Sequence, residues 1–555
     1  MVGDSGLLLE GLLGSSGLIV SSTAPAAIRR MAERARAAYG DLIQVCTGTD
    51  YPSKLSTLVD ALPVVTEKQP VLAAIADDGG TRTWETDHAC DLATSDMVLL
   101  PAVPAANDAY YFGGPARFDE LTLVTGQAGV GVWTITWEYW NGTAWTALAD
   151  VIDGTNGFTE SGEKTISWTM PADWHYVAIA ATDEGAIPGY YVRARVSAYT
   201  SVTTQPLGSY ARITVDIGGG LIQHSGGFFY VDESLPSLPS GVRLKGVGDA
   251  TRLKVPDGTA GSWAVLKNAY GAHDIGFEDL LIDVNVYNQT DTGKEGIQLE
   301  YADRVKVRNV TLLSAGGAGA IDCVNQVNWS DFLESRFIKP LDDGFNGHKV
   351  NFSSIQGCLA QGSQNDNGMD LDGDSLCNVF SNNRCIHNKW RGIFVGFGCM
   401  LNTFIGNVCS YNRWDGLDLN GHATEGHCRY NTVVGNSCCY NGRYGIRLGL
   451  EAHDNNVHSN TLIGNGLRAT NTYGQLTLVP NCDRNLLAGN LARIGDLAQQ
   501  PKWGLEIQNA NDDENVVHGN DFNQSGATAD VSDAGTNTGK RDNRNLAGTG
   551  WLADV

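Results

Sequence analysis

The stretch "NGMDLDGDSLCNVFSNNRCIHN", residues 367–388, decides the fold, because its features recur at fixed distances along the chain. A glycine or alanine stands at 296, 320, 344, 368, 392 and 416, each 24 residues from the next. From those positions the chain reads "GIQL", "AIDC", "GFNG", "GMDL", "GIFV" and "GLDL". The series continues through longer loops with "GIRL" at 445, "GQLTL" at 474 and "GLEI" at 504. The second half of the quoted stretch repeats too. "NVFSNN" at 378 returns as "NTFIGN" (402), "NTVVGN" (431), "NNVHSN" (455), "NLLAGN" (485) and "NVVHGN" (515), with asparagine at both ends. Repeats of this length mark stacked supersecondary units. The short Val/Ile/Leu runs have no helical period, and the framework of leucine-rich repeats is absent. Each 24-residue unit therefore reads as one rung of a right-handed parallel β-helix, with rungs about 4.8 Å apart. Asparagines at one corner are expected to stack and bond along the column, in a corner that tolerates left-handed backbone.

The cysteines follow the same count. Cys358, Cys385, Cys409 and Cys438 each lie seven residues after Asn351, Asn378, Asn402 and Asn431, and Cys399, Cys428 and Cys482 each lie three before an asparagine. They are expected to form two inward columns of reduced thiols, since buried cysteine packs as a small hydrophobe. Adjacent Cys438 and Cys439 should face opposite sides of a strand. No cysteine pair has zinc-finger spacing, and reduced thiols fit assembly in a reducing cytoplasm.

The rest of the 555 residues divides by character. Residues 1–100 read as an N-terminal docking region, with an amphipathic helix over 25–43. Its start, "MVGDSGLLLEGLLGSSGLIVSS", lacks a basic segment and carries Asp4 and Glu10, so it is not read as a secretory signal. Residues 101–205 read as a β-sandwich, from "GVWTITWEYWNGTAWTAL", "KTISWTM" and "GYYVRARVSA". There Trp137, Tyr139, Trp140 and Trp145 form either a sugar platform or, by alternation, part of a core. The β-helix occupies 206–545 and a tail 546–555. Gly at 67 residues and a charged fraction of 18% suit a mostly β chain. The net charge of −24 argues against nucleic acid, whose phosphates need Lys and Arg, and disfavours anionic polymers unless a groove is locally different. No apolar run is long enough to span a membrane.

"LPSGVRLKGVGDATRLKV" (238–255), the "GLDL…NTVVGN…YN" rungs and "ADVSDAGTNTGKRDN" (529–543) together resemble bacteriophage tailspikes and related virion fibres of the pectate-lyase-like β-helix type. The sandwich is similar to modules found in phage structural proteins. The resemblance implies a homotrimer located in the virion and assembled in the host cytoplasm. It also implies an N-terminal anchor to other virion proteins and binding, often cleavage, of bacterial surface polysaccharide. It carries over no catalytic residue. The alternatives are a non-catalytic structural or decorating virion protein and a free polysaccharide lyase or hydrolase.

Alternation along the strands defines candidate site residues. If Met369 and Leu371 point inward, Asp370 and Asp372 point out. The same outward column holds Gln298, Asp322, Asn346, Phe394, Asp418 and Arg447. A second column, two positions ahead of each glycine, holds Asp342, Asp366, Trp390 and Trp414. Aromatic faces stack on sugars, so Asp322, Asn346, Trp390, Phe394 and Trp414 are candidate glycan-binding residues. Equally, the two tryptophans can pack under a loop or against another subunit. Glycoside cleavage needs paired carboxyls. Asp370 and Asp372 stand about 6.6 Å apart at two strand rises, and Asp370 and Asp418 about 9.6 Å apart over two rungs. These three are the candidate catalytic acids; the alternative is that they are solvated scaffold. "DLDGD" lacks the glycine and glutamate offsets of a calcium loop. His422, Glu425 and His427 lie in a rung widened from 24 to 29 residues, and are expected to form a solvated turn rather than a metal site. No metal or cofactor is expected.

Overall fold

The computed structural model describes residues 43–46 and 66–544, apart from 92–94, 116, 172, 182–185, 217–219 and 225. The helix expected over 25–43 and the tail at 546–555 lie outside the described residues. The chain divides into two compact units, Val64–Gly218 and a second formed by Met1–Pro63 with Gly219–Val555. Among the described residues, no helix is long and apolar enough to cross a membrane.

Val64–Gly218 is a pair of antiparallel sheets. One joins Thr66–Pro70 and Met97–Val98 to Leu207–Asp216, Glu120–Gln127, Gly162–Ser167 and Ile152–Asp153. The other joins Thr81–Trp84 and Ala73–Asp78 to Ala109–Gly114, Ala186–Thr204, Val130–Trp140 and Trp145–Ala147, with Val177–Ala180 on its flank. Leu121, Leu123 and Ile213 of the first sheet share a core with Tyr110, Phe112 and Val192 of the second. The sandwich therefore begins well before residue 101. Strands between 66 and 98, expected in a separate docking region, pair with partners up to about 150 residues later, which no local pattern reveals. Alternation decides the aromatics: Trp137 and Tyr139 are buried in the core, while Trp140 packs edge-on against Trp145 at 5.7 Å.

The second unit is the expected parallel β-helix, of about thirteen turns. Each turn supplies short strands to stacked parallel sheets. Val379–Ser381, Arg384–Ile386 and Ile393–Gly396 lie on Thr403–Ile405, Val408–Ser410 and Leu417–Asn420 with the 24-residue offset throughout. Ile43–Cys46 pairs in parallel with Gly220–His224 and so joins this unit. Inward residues form one continuous core, including Met369, Leu371, Ile393, Val395, Leu417 and Leu419.

Three asparagine ladders run along the stack. The Nδ2 of Asn378 donates to Oδ1 of Asn402 (2.9 Å), which continues to Asn431, Asn455, Asn485 and Asn515. A second ladder runs from Asn383 through Asn407, Asn436, Asn460, Asn490 and Asn520 to Asn543. A third runs from Asn388 through Asn412 and Asn441 to Asn465, ending on Oε1 of Gln475. The left-handed residue is not the ladder asparagine but its predecessor, as at Cys377, Leu401, Tyr430, Asn382, His387, Tyr411 and Tyr440. At Gly406 and Gly435, which also have positive φ, glycine takes this place without steric cost, which explains the "GN" pairs.

The eleven described thiols are free and mostly inward, as expected. Cys385 lies on Cys409 in register, and Cys438 lies on Leu462. Cys399 lies one rung before Cys428, which pairs with Ala452. Cys358 departs from the expected column. Ala360 pairs with Cys385, while the Cys358 amide donates to Asn383 Oδ1 at 2.9 Å. Its rung is anchored by Ser353, which donates to Asn378 Oδ1, rather than by Asn351, so a count from Asn351 slips by two.

Asn407 makes hydrogen bonds to both neighbouring rungs: Oδ1 accepts from the Asn383 backbone and side-chain amides, and Nδ2 donates to the Phe380 carbonyl and Asn436. Asn407→Ala is expected to lower unfolding free energy on the order of 2–4 kcal/mol, because it strands buried groups on both sides. Ile405→Thr, on the exposed face of the same rung, should stay within about 0.5 kcal/mol. Thermal midpoints of the two variants check this. In the native protein a thiol reagent should label exposed Cys90 and spare Cys385, Cys409 and Cys438 until denaturant is added. Mass spectrometry of labelled peptides reads the result.

Candidate functional site

The eleven-stranded parallel sheet of the β-helix carries the expected outward column in register. Gln298, Asp322, Asn346, Asp370, Phe394, Asp418 and Arg447 are successive partners. The column is not the solvated acid face expected from alternation alone. Asp322, Phe394 and Asp418 are buried, and Asp370 and Asp372 are half-buried. Long neighbours from adjacent rungs and from the preceding corner cover them.

The two halves of the column differ in how they hold charge. In the later half, arginines neutralise the acids. Asp418 sits between Arg391 (2.7 Å) and Arg447 (2.9 Å). Asp415, also buried, faces Arg443 (3.6 Å) and Arg391 (3.8 Å). Arg391 lies over Phe394, its guanidinium carbon 4.6 Å from the ring centroid, and Arg443 lies 4.8 Å over Trp414. In the earlier half acids stack on acids. Asp343 and Asp370 are pushed well above the ordinary carboxylate range, first by burial and then by neighbouring aspartates. Asp366 is raised to about 6 by burial and by the charge of Asp342. Further along, burial and Asp322 push Glu295 up to about 8. Asp370 accepts from Asn367 Nδ2 (3.1 Å) through Oδ2, while its buried Oδ1 has no hydrogen-bond partner among the described residues. Burial beside like charge thus favours the protonated form of Asp370.

Asp372 hydrogen-bonds to Nδ1 of His348 (2.8 Å), which lies one rung before it in direct register. His348 was not singled out in the sequence, although the 24-residue step from Asp372 leads to it. Arg391 and Arg443 were missed for a different reason: they reach the acids sideways from corner positions that strand alternation does not describe. Asn346 donates to Asp322 at 2.9 Å. Among the described residues no side-chain hydrogen bond links either residue to Asp370, although Asn346 is its neighbour in register, so these two lie along the same face without joining its hydrogen-bonded group.

Trp390 and Trp414 stack on each other, with ring centroids 5.1 Å apart and planes at 11°. Their backbones bond in one column, Trp390 to Asp366 and Trp414 to Trp390. Both are half-buried, each keeping part of its surface open. A shallow pocket on the neighbouring corner is lined by His387, Tyr411, Arg413, Tyr440, Leu467 and Arg468. His387, Tyr411 and Tyr440 form a second stack there, at 5.4 Å steps. Arg413 and Arg468 have no acidic partner among the described residues, so this end of the face is locally basic in a chain of net charge −24.

The expected turn trio is separated. His422 faces Glu425 at 3.8 Å and packs on Phe397, whereas His427 turns to Glu451 of the next rung at 3.2 Å.

This is the fold of the parallel β-helix proteins. The family model described as "NosD: Periplasmic copper-binding protein (NosD)" matches residues 282–479, a little over a third of the chain. No curated protein matches the chain. Among solved structures, the A-module of Azotobacter vinelandii mannuronan C-5 epimerase AlgE6 is similar at 18% identity and a TM-score of 0.51, over 59% of this chain and 90% of that one. The Dettilon tailspike protein (gp208) is similar at 14% identity and a TM-score of 0.42, over 57% of this chain and 62% of its own. Tailspike protein 3 of bacteriophage CBA120 is similar at 14% identity and a TM-score of 0.40, over 60% and 57%.

The raised acids give a pH dependence with a definite sign. Glu295, held near 8 in the fold, ionises at about 4.3 in the unfolded chain. Between these values the native state binds the extra proton. Its contribution is therefore complete below about pH 4.3 and is lost as pH rises through the folded value. Glu295→Gln removes this loss. The variant is expected to gain more thermal stability over wild type at about pH 8 than at about pH 5, as read from paired melting curves.

Proposed function

We propose that this chain is a bacteriophage virion spike that binds host surface polysaccharide along its eleven-stranded sheet and hydrolyses it at Asp370. One observation carries the catalytic part: a half-buried carboxyl whose protonated form is favoured by burial and like charge, two strand positions from a second carboxyl that is hydrogen-bonded to a histidine. Two strand rises, about 6.6 Å, fit the carboxyl separation of inverting glycosidases. Asp370 donates its proton to the glycosidic oxygen as the bond from that oxygen to the anomeric carbon breaks. Water attacks the opposite face of the sugar, and its proton passes to Asp372, whose carboxylate His348 orients. We assign Asp418 to holding Arg391 and Arg447 rather than to proton transfer, because both of its sides are taken by guanidinium groups.

Trp390 and Trp414 supply a stacked aromatic edge beside the acids; Phe394, buried under Arg391, backs that edge rather than facing the glycan. Arg468 beside Trp414 and Arg413 in the neighbouring pocket, which have no acidic partner among the described residues, favour a glycan with acidic sugars. The virion setting, the homotrimer and docking to other virion proteins through the segment ahead of the sandwich rest on the sequence resemblance.

A panel of bacterial surface polysaccharides tests the reading, with new reducing ends and unsaturated uronate absorbance as readouts. Cleavage should yield reducing ends without unsaturated products. Asp370→Asn, close in shape to the protonated acid, should fold normally and lower kcat at least about a hundredfold. Trp414→Ala should mainly weaken binding, on the order of 1 kcal/mol. Unsaturated products would overturn the hydrolytic step. Unchanged turnover in Asp370→Asn would remove the assigned acid, and binding to no polysaccharide would overturn the function.

A further inference from the structure

A second polar cluster stands at another corner of the β-helix, where the widened rung rejoins the stack. Cys428 and Arg429 pair in parallel with Ala452 and His453, which places His427 one rung before Glu451. Glu451 Oε2 lies 3.2 Å from Nδ1 of His427 and 3.1 Å from Nε2 of His453. One ligand atom from each of the three residues lies within 4.8 Å of the other two. The two imidazoles are tilted at 57° to each other, with 4.9 Å between centroids. A tetrahedral ion with bonds of about 2.1 Å needs ligand atoms about 3.4 Å apart, so two edges already fit. The third closes by rotation of His427, whose side chain is 43% exposed.

We infer that His427, Glu451 and His453 bind a divalent transition-metal ion of the zinc class. Two imidazoles and one carboxylate form a donor set suited to such ions and poorly suited to calcium or magnesium, which prefer oxygen. The surrounding groups are those that orient metal ligands. Asn481 Nδ2 donates to the other carboxylate oxygen, Glu451 Oε1, at 3.0 Å. Asp483 Oδ2 lies 3.5 Å from His453 Nδ1, and the other oxygen of that carboxylate, Oδ1, accepts from the Asp513 amide at 3.0 Å. The Asp483 backbone amide donates to His453 Nδ1 at 3.2 Å, which leaves the ring proton on Nε2 toward Glu451 in the ion-free cluster. Binding an ion on Nε2 moves that proton to Nδ1, where the Asp483 carboxylate replaces the amide as its partner. Three protein ligands leave the fourth position to water on the exposed His427 side. The ion would tie the exit of the widened turn to the next rung, where Glu451 and His453 are already set by the stack. The rival arrangement is a hydrogen-bonded His–Glu–His cluster that takes no ion.

The test uses the full chain, stripped with a chelator and then titrated with Zn²⁺ alone by calorimetry and with Co²⁺ by visible absorption. Wild type is expected to take up one equivalent of Zn²⁺ at a site absent from His427→Ala. It should give the intense absorption of low-coordinate Co²⁺ and melt at a higher temperature with Zn²⁺ present. Asp483→Asn should weaken Zn²⁺ binding at least about tenfold without abolishing it. His427 is exposed, so its replacement leaves the fold intact, and an unchanged melting curve without metal verifies that. Zn²⁺ uptake equal in wild type, His427→Ala and Glu451→Gln, or none in wild type, would leave only the hydrogen-bonded cluster and overturn the site.

Discussion

The fold depends on the hydrogen bonds that a buried asparagine amide makes at each corner. A strand pairs its backbone with the rungs before and after it, but a corner turns those groups out of line. The asparagine supplies the missing partners. Asn407 accepts the amide of Asn383 and donates to the Phe380 carbonyl, while its own backbone amide is met by Asn436. Each side chain thereby completes its neighbour as well as itself, and buried polar groups in such networks reinforce one another. The predecessor of each asparagine accepts a left-handed backbone in return, at a cost that non-glycine residues such as Tyr411 and Leu401 carry only because the ladder fixes them.

A stack that aligns identical positions also aligns identical charges, one rung apart. That spacing is unfavourable for carboxylates wherever water is excluded. The outward column resolves the conflict in two ways along its length. Around Asp415 and Asp418, Arg391, Arg443 and Arg447 bring opposite charge into the column. Around Asp343, Asp366 and Asp370 burial and like charge raise the acids' pKa instead, with Arg391 offering partial relief to Asp366 and Asp370. The boundary between the halves coincides with the aromatic stack.

Much of the fold was legible because its period is written in residues that serve one purpose. Asparagines at both ends of "NTVVGN", glycines at the strand starts and inward Leu and Ile gave the rung length and the column membership of Asp322, Asp370 and Asp418. Less was legible where a position is filled by a substitute. Ser353 stands in for a ladder asparagine, and the reading from Asn351 misplaced Cys358. Burial of Asp418 and Phe394 was not legible, because it is imposed by arginines whose reach is several times the strand rise. The start of the sandwich was hidden for another reason: Thr66–Pro70 is a short polar strand whose partner, Leu207–Asp216, is far away in sequence.

The widened rung shows how such a scaffold accepts new chemistry without losing its register. Asn402 and Asn431 are 29 residues apart, yet they bond like pairs that are 24 apart, and Asn455 and Asn485 do so at 30. The ladder fixes only corner positions, so added residues collect between Asn420 and Cys428, where His422 and Gly426 close a small antiparallel bridge. Loop-closure entropy grows slowly with length, so a few extra residues cost little. The chain then re-enters the stack with His427 already aligned to a rung that carries Glu451 and His453. Neighbouring rungs, rather than neighbouring residues, therefore assemble the polar groups of this molecule. His348 over Asp372, at a strand end of the eleven-stranded sheet, and His427 over Glu451, at a corner, are the same construction: one residue placed by the period, and its partner found one turn away.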